Sequence, residues 1–243
     1  MKNEEASPTP GEAKNGIGTL REKSLHAALK AWYAGPGDRI EAPVDGYMID
    51  IVRGDLLIEI QTRNFFAMKE KLAALTSRHP VRLVHPIAAE KWILHLQEAG
   101  AEPAARRKSP RRGRVEHLFT ELVRFPRLVA HPNFSLEVLL IQEEETRLQD
   151  GKGSWRRKGW SIADRRLVSV LERVELNGPE DFRRFLPEAL PRPFTSRDLA
   201  RLRGLHLSLA GKLLYCLREM GLVEVSGRKG RSYLYQETPT HGR

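Results

Sequence analysis

The chain has 243 residues and 40% hydrophobic content, enough for one large domain or two modest ones with a buried core. Its apolar runs are too short for a transmembrane helix. The net charge of +10 suits a polyanionic partner, although an arginine-rich surface that meets only solvent accounts for the charge equally well. The single cysteine, Cys216, excludes an internal disulfide framework and any multi-cysteine metal site.

Polar residues rich in Pro and Gly fill positions 1–15 and predict a disordered tail. They lack the apolar core of a secretion signal, so we expect a cytoplasmic protein with no membrane partner. From Thr19 a broad apolar stripe predicts a helix, with Glu22 at the spacing of a capping box. Gly35-Pro36-Gly37 ends this helix.

Two apolar strands joined by a tight turn are predicted over residues 45–65. A two-residue loop at Gly54-Asp55 sets the register and places Asp50 directly opposite Glu59, on one face and about 5 Å apart. Gln61 follows on the same face by alternation. Carboxylates among apolar residues are costly to bury unless they are paired or hold a cation. The pattern predicts a divalent-cation site with Asp50 and Glu59 as ligands; the alternative is a hairpin whose acids face solvent.

The following segments complete a compact α/β unit over residues 16–100. A helix is predicted from Phe65 to Ser77, with Lys71 among its outward-facing residues. A short strand then ends at Pro86, and a further helix is expected from about Ala88 to Glu98. The Arg-rich segment 101–114 is predicted to be a basic linker, or a loop that adds nonspecific affinity for phosphates.

Residues 115–186 form a middle α/β region that belongs either to the first domain or to a separate one. A helical pattern begins at Val115. Two strands, 136–141 and 166–171, are expected to pair around a loop that holds Trp155, Trp160 and several basic residues. Such a loop suits stacking on bases or packing against the end of a sheet.

The C-terminal segment 187–236 is predicted to contain two helices followed by a hairpin, before a disordered tail at 237–243. Thr195 is expected to cap the first helix and Ser208 the second. Two strands then flank the basic tip 227–231.

This order of elements resembles the winged helix-turn-helix family. The resemblance implies that the second helix of this segment enters DNA and that the hairpin tip reaches phosphates or the minor groove. The residues that it assigns to DNA are Ser208, Lys212, Tyr215, Arg228, Lys229 and Arg231. The alternative is a winged helix used for dimerisation or protein contact, and in that case the protein would form a homodimer or bind another protein.

Glu22 on a helix, Asp50 on a strand and Glu59-Ile60-Gln61 on the next strand resemble the PD-(D/E)XK nuclease superfamily, over Thr19 to Glu98. The resemblance implies a restriction-endonuclease-like mixed sheet flanked by helices. It also implies Mg²⁺ or Mn²⁺ on Asp50 and Glu59, and places Glu22 and Gln61 among the catalytic residues. Two departures are Gln61, where the family has lysine, and Ile49, where it has proline.

In the resemblance, Arg63 and Lys69 contact DNA phosphates close to the acids. We therefore expect an α/β protein that hydrolyses phosphodiester bonds in DNA with Mg²⁺. The alternatives are a noncatalytic winged-helix regulator built on a degenerate nuclease-like scaffold, and a partner-binding component of a larger complex.

Overall fold

The computed structural model describes residues 17–97 and 105–239, with side chains from residue 24 onward except that of residue 156. The predicted tail at 1–15 lies outside the described residues. The helices are α1 (Ile17–Tyr33), α2 (Lys69–Thr76), α3 (Phe119–Leu122), α4 (Ser196–Arg203) and α5 (Leu207–Glu219). The strands are β1 (Arg39–Val44), β2 (Tyr47–Arg53), β3 (Leu56–Ile60), β4 (Val81–Leu96), β5 (Ala105–Lys108), β6 (Phe134–Gln149), β7 (Trp160–Leu176), β8 (Val223–Lys229) and β9 (Ser232–Glu237).

Seven strands form one mixed sheet in the order β1-β2-β3-β4-β6-β7, with β5 paired to β4. Strand β4 runs parallel to β3 and β6, and the other pairs are antiparallel. Helices flank the sheet, so the predicted α/β class is confirmed. No helix in the described part of the chain is long and apolar enough to cross a membrane.

Two apolar clusters cover the two faces of the hairpin β2–β3. On one face, Leu25 and Leu29 of α1 pack with Ile51 and Ile58. The opposite face packs against α2 in a larger cluster, which continues into the C-terminal helices. This larger cluster includes residues of the hairpin, α2, α4 and α5, namely Val52, Leu57, Leu72, Leu75, Leu199, Leu213 and Leu217. The sheet is therefore covered on both sides at the acids, as the apolar neighbours of Asp50 and Glu59 indicated.

Strand β4 corrects two sequence predictions. The chain continues as a strand through Pro86 to Leu96, where we expected a strand end and then a helix. The carbonyl of Val84 forms a hydrogen bond on the β3 side of the strand. Because alternate residues of a strand point the same way, the N–H that Pro86 lacks would also point to that side, beyond the end of β3. Proline therefore removes no ladder bond at this position.

The segment predicted as a basic linker or loop contains strand β5, and residues 109–114 after it form a loop. Residues 105–108 pair with β4 beyond the end of β3, and the N–H of Gly113 donates to the carbonyl of Ala88. A Cβ at Gly113 would lie 2.4 Å from that carbonyl oxygen, so glycine permits the close approach. Strands β6 and β7 pair as predicted and extend the same sheet.

The C-terminal unit consists of α4, α5 and the hairpin β8–β9. Thr195 and Asp198 form the predicted capping box, and Gly204 ends α4 with a left-handed φ of 62°. His206, and not Ser208, is the N-cap of α5, because its ring nitrogen accepts the N–H of Ser208. Phe194 forms a single antiparallel bridge with Tyr235 of the two-stranded hairpin.

Candidate functional site

The predicted register of the hairpin is confirmed for its first three pairs. Arg53 lies opposite Leu56, then Val52 opposite Leu57 and Ile51 opposite Ile58, and there the ladder ends. The next position is irregular because Glu41, the residue of β1 opposite Asp50, has a left-handed φ of 48°. Asp50 consequently contacts α1, on the same side as Ile51. The prediction that the carboxylates of Asp50 and Glu59 share one face is wrong.

Asp50 is held by nitrogen donors on the α1 side of the hairpin. Its Oδ2 accepts the N–H of Ile60 at 2.8 Å and lies 3.1 Å from His26 Nε2. Lys30 Nζ lies 4.0 Å from Oδ1 and also pairs with Glu41. Burial acts to raise the pKa of Asp50, but the bonds from His26 and Ile60 outweigh it and hold the pKa below its usual value. The hydrogen bond between His26 and Asp50 also raises the pKa of His26.

Glu59 faces α2 and is 4% exposed. Lys71 Nζ lies 2.7 Å from its Oε1 and also donates to the carbonyl of Met48 at 2.6 Å. Burial nevertheless raises the pKa of Glu59 above its usual value. Lys71 was expected to face outward, yet it is three residues after Met68 and four before Leu75, on the inner stripe of the helix. That spacing is the sequence signal by which it could have been found.

Gln61 follows Glu59 but its amide is engaged by the next loop. Its Nε2 donates to the carbonyls of Arg63 at 2.6 Å and Asn64 at 3.3 Å. Asn64 has a left-handed φ of 60°, which turns the chain so that these carbonyls meet the amide. The side chain of Glu22 lies outside the described residues, although its backbone belongs to α1.

Two of the predicted DNA contacts line one groove between the first domain and the C-terminal unit. Lys69 of α2 and Tyr215 of α5 both border a cavity of about 690 Å³. Arg124, Arg127 and His131 line its remaining wall. Arg127 Nε also bonds Glu219 of α5 at 2.8 Å, so this wall is tied to the helix.

Arg63 is exposed in the loop after β3, and the other predicted contacts lie on the outer surface of the C-terminal unit. Ser208 and Tyr215 are exposed on α5, and Lys212 is half-buried between them. On the hairpin, Arg228 lies over the ring of Tyr233 and donates to its hydroxyl at 3.1 Å. Lys229 and Arg231 are exposed beside it, which leaves a basic tip facing solvent.

The carboxylates of Asp50 and Glu59 can be compared with the ligands that a divalent cation requires. Mg²⁺ prefers hard oxygen ligands, needs one or two carboxylates and keeps several waters. Asp50 and Glu59 satisfy this chemistry and are adjacent, because the Asp50 N–H donates to the Glu59 carboxylate. The described residues hold no cluster of three or more His, Cys, Asp or Glu side chains that could bind a metal. The donors therefore fit an ion at either carboxylate, without enclosing one between them.

Comparison with known proteins places the chain in a family. Residues 23–177 match the model of DUF8091, described as a domain of unknown function, and the chain belongs to that family. The match runs from α1 to the end of β7 and leaves α4, α5 and the β8–β9 hairpin outside it. The chain is also similar to an uncharacterized protein of Treponema pallidum (strain Nichols), 33% identical over 92% of this chain and 88% of that protein. No solved structure matches.

Proposed function

We propose that this protein is cytoplasmic, binds DNA and hydrolyses its phosphodiester bonds with Mg²⁺ or Mn²⁺ at Glu59 and Lys71, with Asp50 as a positioning residue on the opposite face of the hairpin. The observation that carries the proposal is the ammonium of Lys71 beside the Glu59 carboxylate. The nuclease superfamily has a lysine where this chain has Gln61. Here α2 supplies the amine in its place, on a core with the order α1-β1-β2-β3-α2-β4.

Each residue has a role that follows from its contacts. Glu59 is buried with a raised pKa, so a cation at its carboxylate would relieve the cost of the charge. Lys71 is a donor to developing negative charge on a phosphate oxygen. Asp50 lies on the opposite face and fixes the end of β3 through the N–H of Ile60, so it positions the strand that carries Glu59. The ion, when bound, would supply a more acidic water and neutralise phosphate charge.

The C-terminal unit supports binding to duplex DNA. Two helices, a basic hairpin and the Phe194–Tyr235 pairing have the order of a winged helix. We expect α5 to contact bases and the tip to contact phosphates, with the protein acting as a monomer or a homodimer. Neutralising Arg228, Lys229 and Arg231 should weaken duplex binding and reduce its salt slope by about two to three, at roughly 0.9 per phosphate contact. Unchanged binding would indicate a protein-contact role.

A second candidate function is a noncatalytic DNA-binding regulator. It is favoured by the orientation of the carboxylates, which leave the hairpin towards opposite faces. The engagement of the Gln61 amide by Arg63 and Asn64 also favours it. In this account the acids and their cationic partners are structural ion pairs on a scaffold.

Cleavage of supercoiled plasmid and of branched DNA with Mg²⁺ or Mn²⁺ separates the two candidates. We expect the wild type to cut, and the Asp50→Ala/Glu59→Ala double variant to bind DNA without cutting. Asp55→Ala is the matched control, since Asp55 is an exposed acid in the turn of the same hairpin. Intact DNA with a wild type that binds it would support the regulator. A wild type that binds no DNA would refute both.

A further inference from the structure

A second basic site lies away from the acids, where β4, β6 and β7 extend beyond the helix-covered part of the sheet. A cavity of about 710 Å³ opens between these strands and the loop after β5. We call it the arginine pocket. Its lining includes six arginines and a lysine but one acid, Glu145. The arginines are Arg107, Arg111, Arg112, Arg147, Arg157 and Arg165.

Glu145 organises the inner wall of the pocket. It is 2% exposed, and it pairs with Lys91 at 3.0 Å, Arg147 at 2.7 Å and Arg165 at 3.5 Å. Burial acts to raise the pKa of Glu145, but these cations outweigh it and lower the pKa. Lys91 also pairs with the buried Glu143 at 2.6 Å, so two carboxylates fix three cations and leave one net positive charge. Such an arrangement is preorganised for an anion.

The outer wall carries cations without acidic partners. Arg107 and Arg111 are exposed, and neither has a carboxylate within ion-pair distance among residues 17–97 and 105–239. Arg157 donates to the carbonyl of Trp160 and likewise has no acid among the described residues. Arg112 is paired, with Glu90 at 3.0 Å. The pocket therefore has an excess of positive charge available to a ligand.

An exposed aromatic residue directly follows a lining residue in the chain. Trp155 follows Ser154, a lining residue, and is 83% exposed. The other tryptophan of this loop, Trp160, stacks on His95 with ring centroids 4.3 Å apart. The two interpretations of the loop, packing against the sheet and stacking on bases, therefore apply to different tryptophans. Trp160 packs against the sheet, whereas most of the Trp155 side chain is accessible.

The shape selects among polyanions. A duplex presents its phosphates on a wide convex surface and its bases paired, so it reaches neither the recessed cations around Glu145 nor the Trp155 ring with a base. A single strand is narrow and flexible, and its unpaired bases stack on aromatic side chains. Arginine also recognises phosphate through a planar fork of donors.

We propose that the arginine pocket binds the phosphate backbone of single-stranded DNA, with Trp155 stacking on one of its bases. The inference rests on the proposed binding of DNA, and it adds a separate contact for an unpaired strand to the duplex contact of the C-terminal unit. An unpaired strand of this kind occurs at branched or opened DNA, so the pocket would select the form of the substrate.

Fluorescence anisotropy with the full chain tests the proposal, using a labelled 20-nucleotide single strand and the matching duplex. We expect Arg107→Ala/Arg111→Ala to weaken single-strand binding about tenfold and to reduce its salt slope by about 1.4, at roughly 0.7 per phosphate contact. Trp155→Ala should cost a similar factor, and Trp155→Phe should recover most of it. Duplex binding should be unchanged in all three variants.

Arg39→Ala/Arg184→Ala is the matched control, because it removes two exposed arginines far from the pocket in sequence. Single-strand binding that equals wild type in the pocket variants, or falls equally in the control, would overturn the inference. So would a wild type that binds only duplex, which leaves the proposed function standing. Pocket-dependent binding of an RNA 20-mer with DNA binding unaffected would also overturn it. A wild type that binds neither single strand nor duplex would refute the proposed function itself.

Discussion

Lys71 Nζ lies 2.7 Å from Glu59 Oε1, although one residue belongs to a helix and the other to the strand beneath it. The contact brings an ammonium to a buried carboxylate, yet burial outweighs it and raises the pKa of Glu59. Asp50, the neighbouring acid, has its own partners on the opposite face. The two acids therefore differ in what they contribute to folding.

The first prediction concerns the stability of Glu59 variants. Because the pKa of Glu59 is raised in the folded protein, the ionised form opposes folding, and that cost is fully present above the folded pKa. We expect Glu59→Gln to unfold at the same temperature as wild type or a higher one at pH 8. Thermal unfolding followed by circular dichroism measures this. A fall of several degrees would mean that the ion pair with Lys71 outweighs the burial of Glu59.

Removal of the Asp50 carboxylate should lower the stability of the protein, unlike removal of the Glu59 charge. Asp50→Ala removes the acceptor of the Ile60 N–H and the partner of His26, so we expect a loss of about 1–3 kcal/mol in the free energy of unfolding. Urea denaturation at pH 7 gives this value. Asp55→Ala should change it by less than about 0.5 kcal/mol, since Asp55 is exposed. Equal effects of the two variants would contradict the account of Asp50.

The Asp50–His26 pair should also give a pH dependence. Folding raises the pKa of His26, so its contribution is fully present below pH 6.5 and is lost as the pH rises through the folded pKa. We expect the stability difference between wild type and His26→Ala to shrink between pH 6 and pH 9. A difference that stays constant over that range would show that the protonated ring does not stabilise the fold.

Much of this hairpin could be predicted from sequence. The Gly54-Asp55 turn set the register of β2 and β3, because loop length fixes which residues face each other. The side to which Asp50 turns could not be predicted, since it depends on the left-handed backbone of Glu41 on a third strand. The start of β4 was predicted as a strand, but its part after Pro86 was expected to be a helix because Trp92, Ile93 and Leu96 fit helical spacing. The pairing with β6 that decides the structure is nonlocal.

The thiol of Cys216 offers a test of the C-terminal packing. Burial raises its pKa to about 12, and the side chain is fully enclosed in the core around α5. We expect no reaction with a thiol reagent at pH 8 in the native protein and complete reaction in denaturant. Rapid labelling of the native protein would show that α5 detaches from the core.

The proposal that Lys71 takes the part of the lysine of the nuclease superfamily is tested most directly by single-turnover cleavage of DNA with Mg²⁺. We predict that Lys71→Met lowers the rate about 10²–10³-fold, as loss of a preorganised donor does. Gln61→Lys in the Lys71→Met background should recover part of that rate, because it returns an ammonium to the position two residues after Glu59. Arg39→Met is the control, since it removes an exposed cation on β1 that has no role in the proposed site. Cleavage by Lys71→Met at the wild-type rate, or no cleavage by the wild type, would contradict the proposed active site.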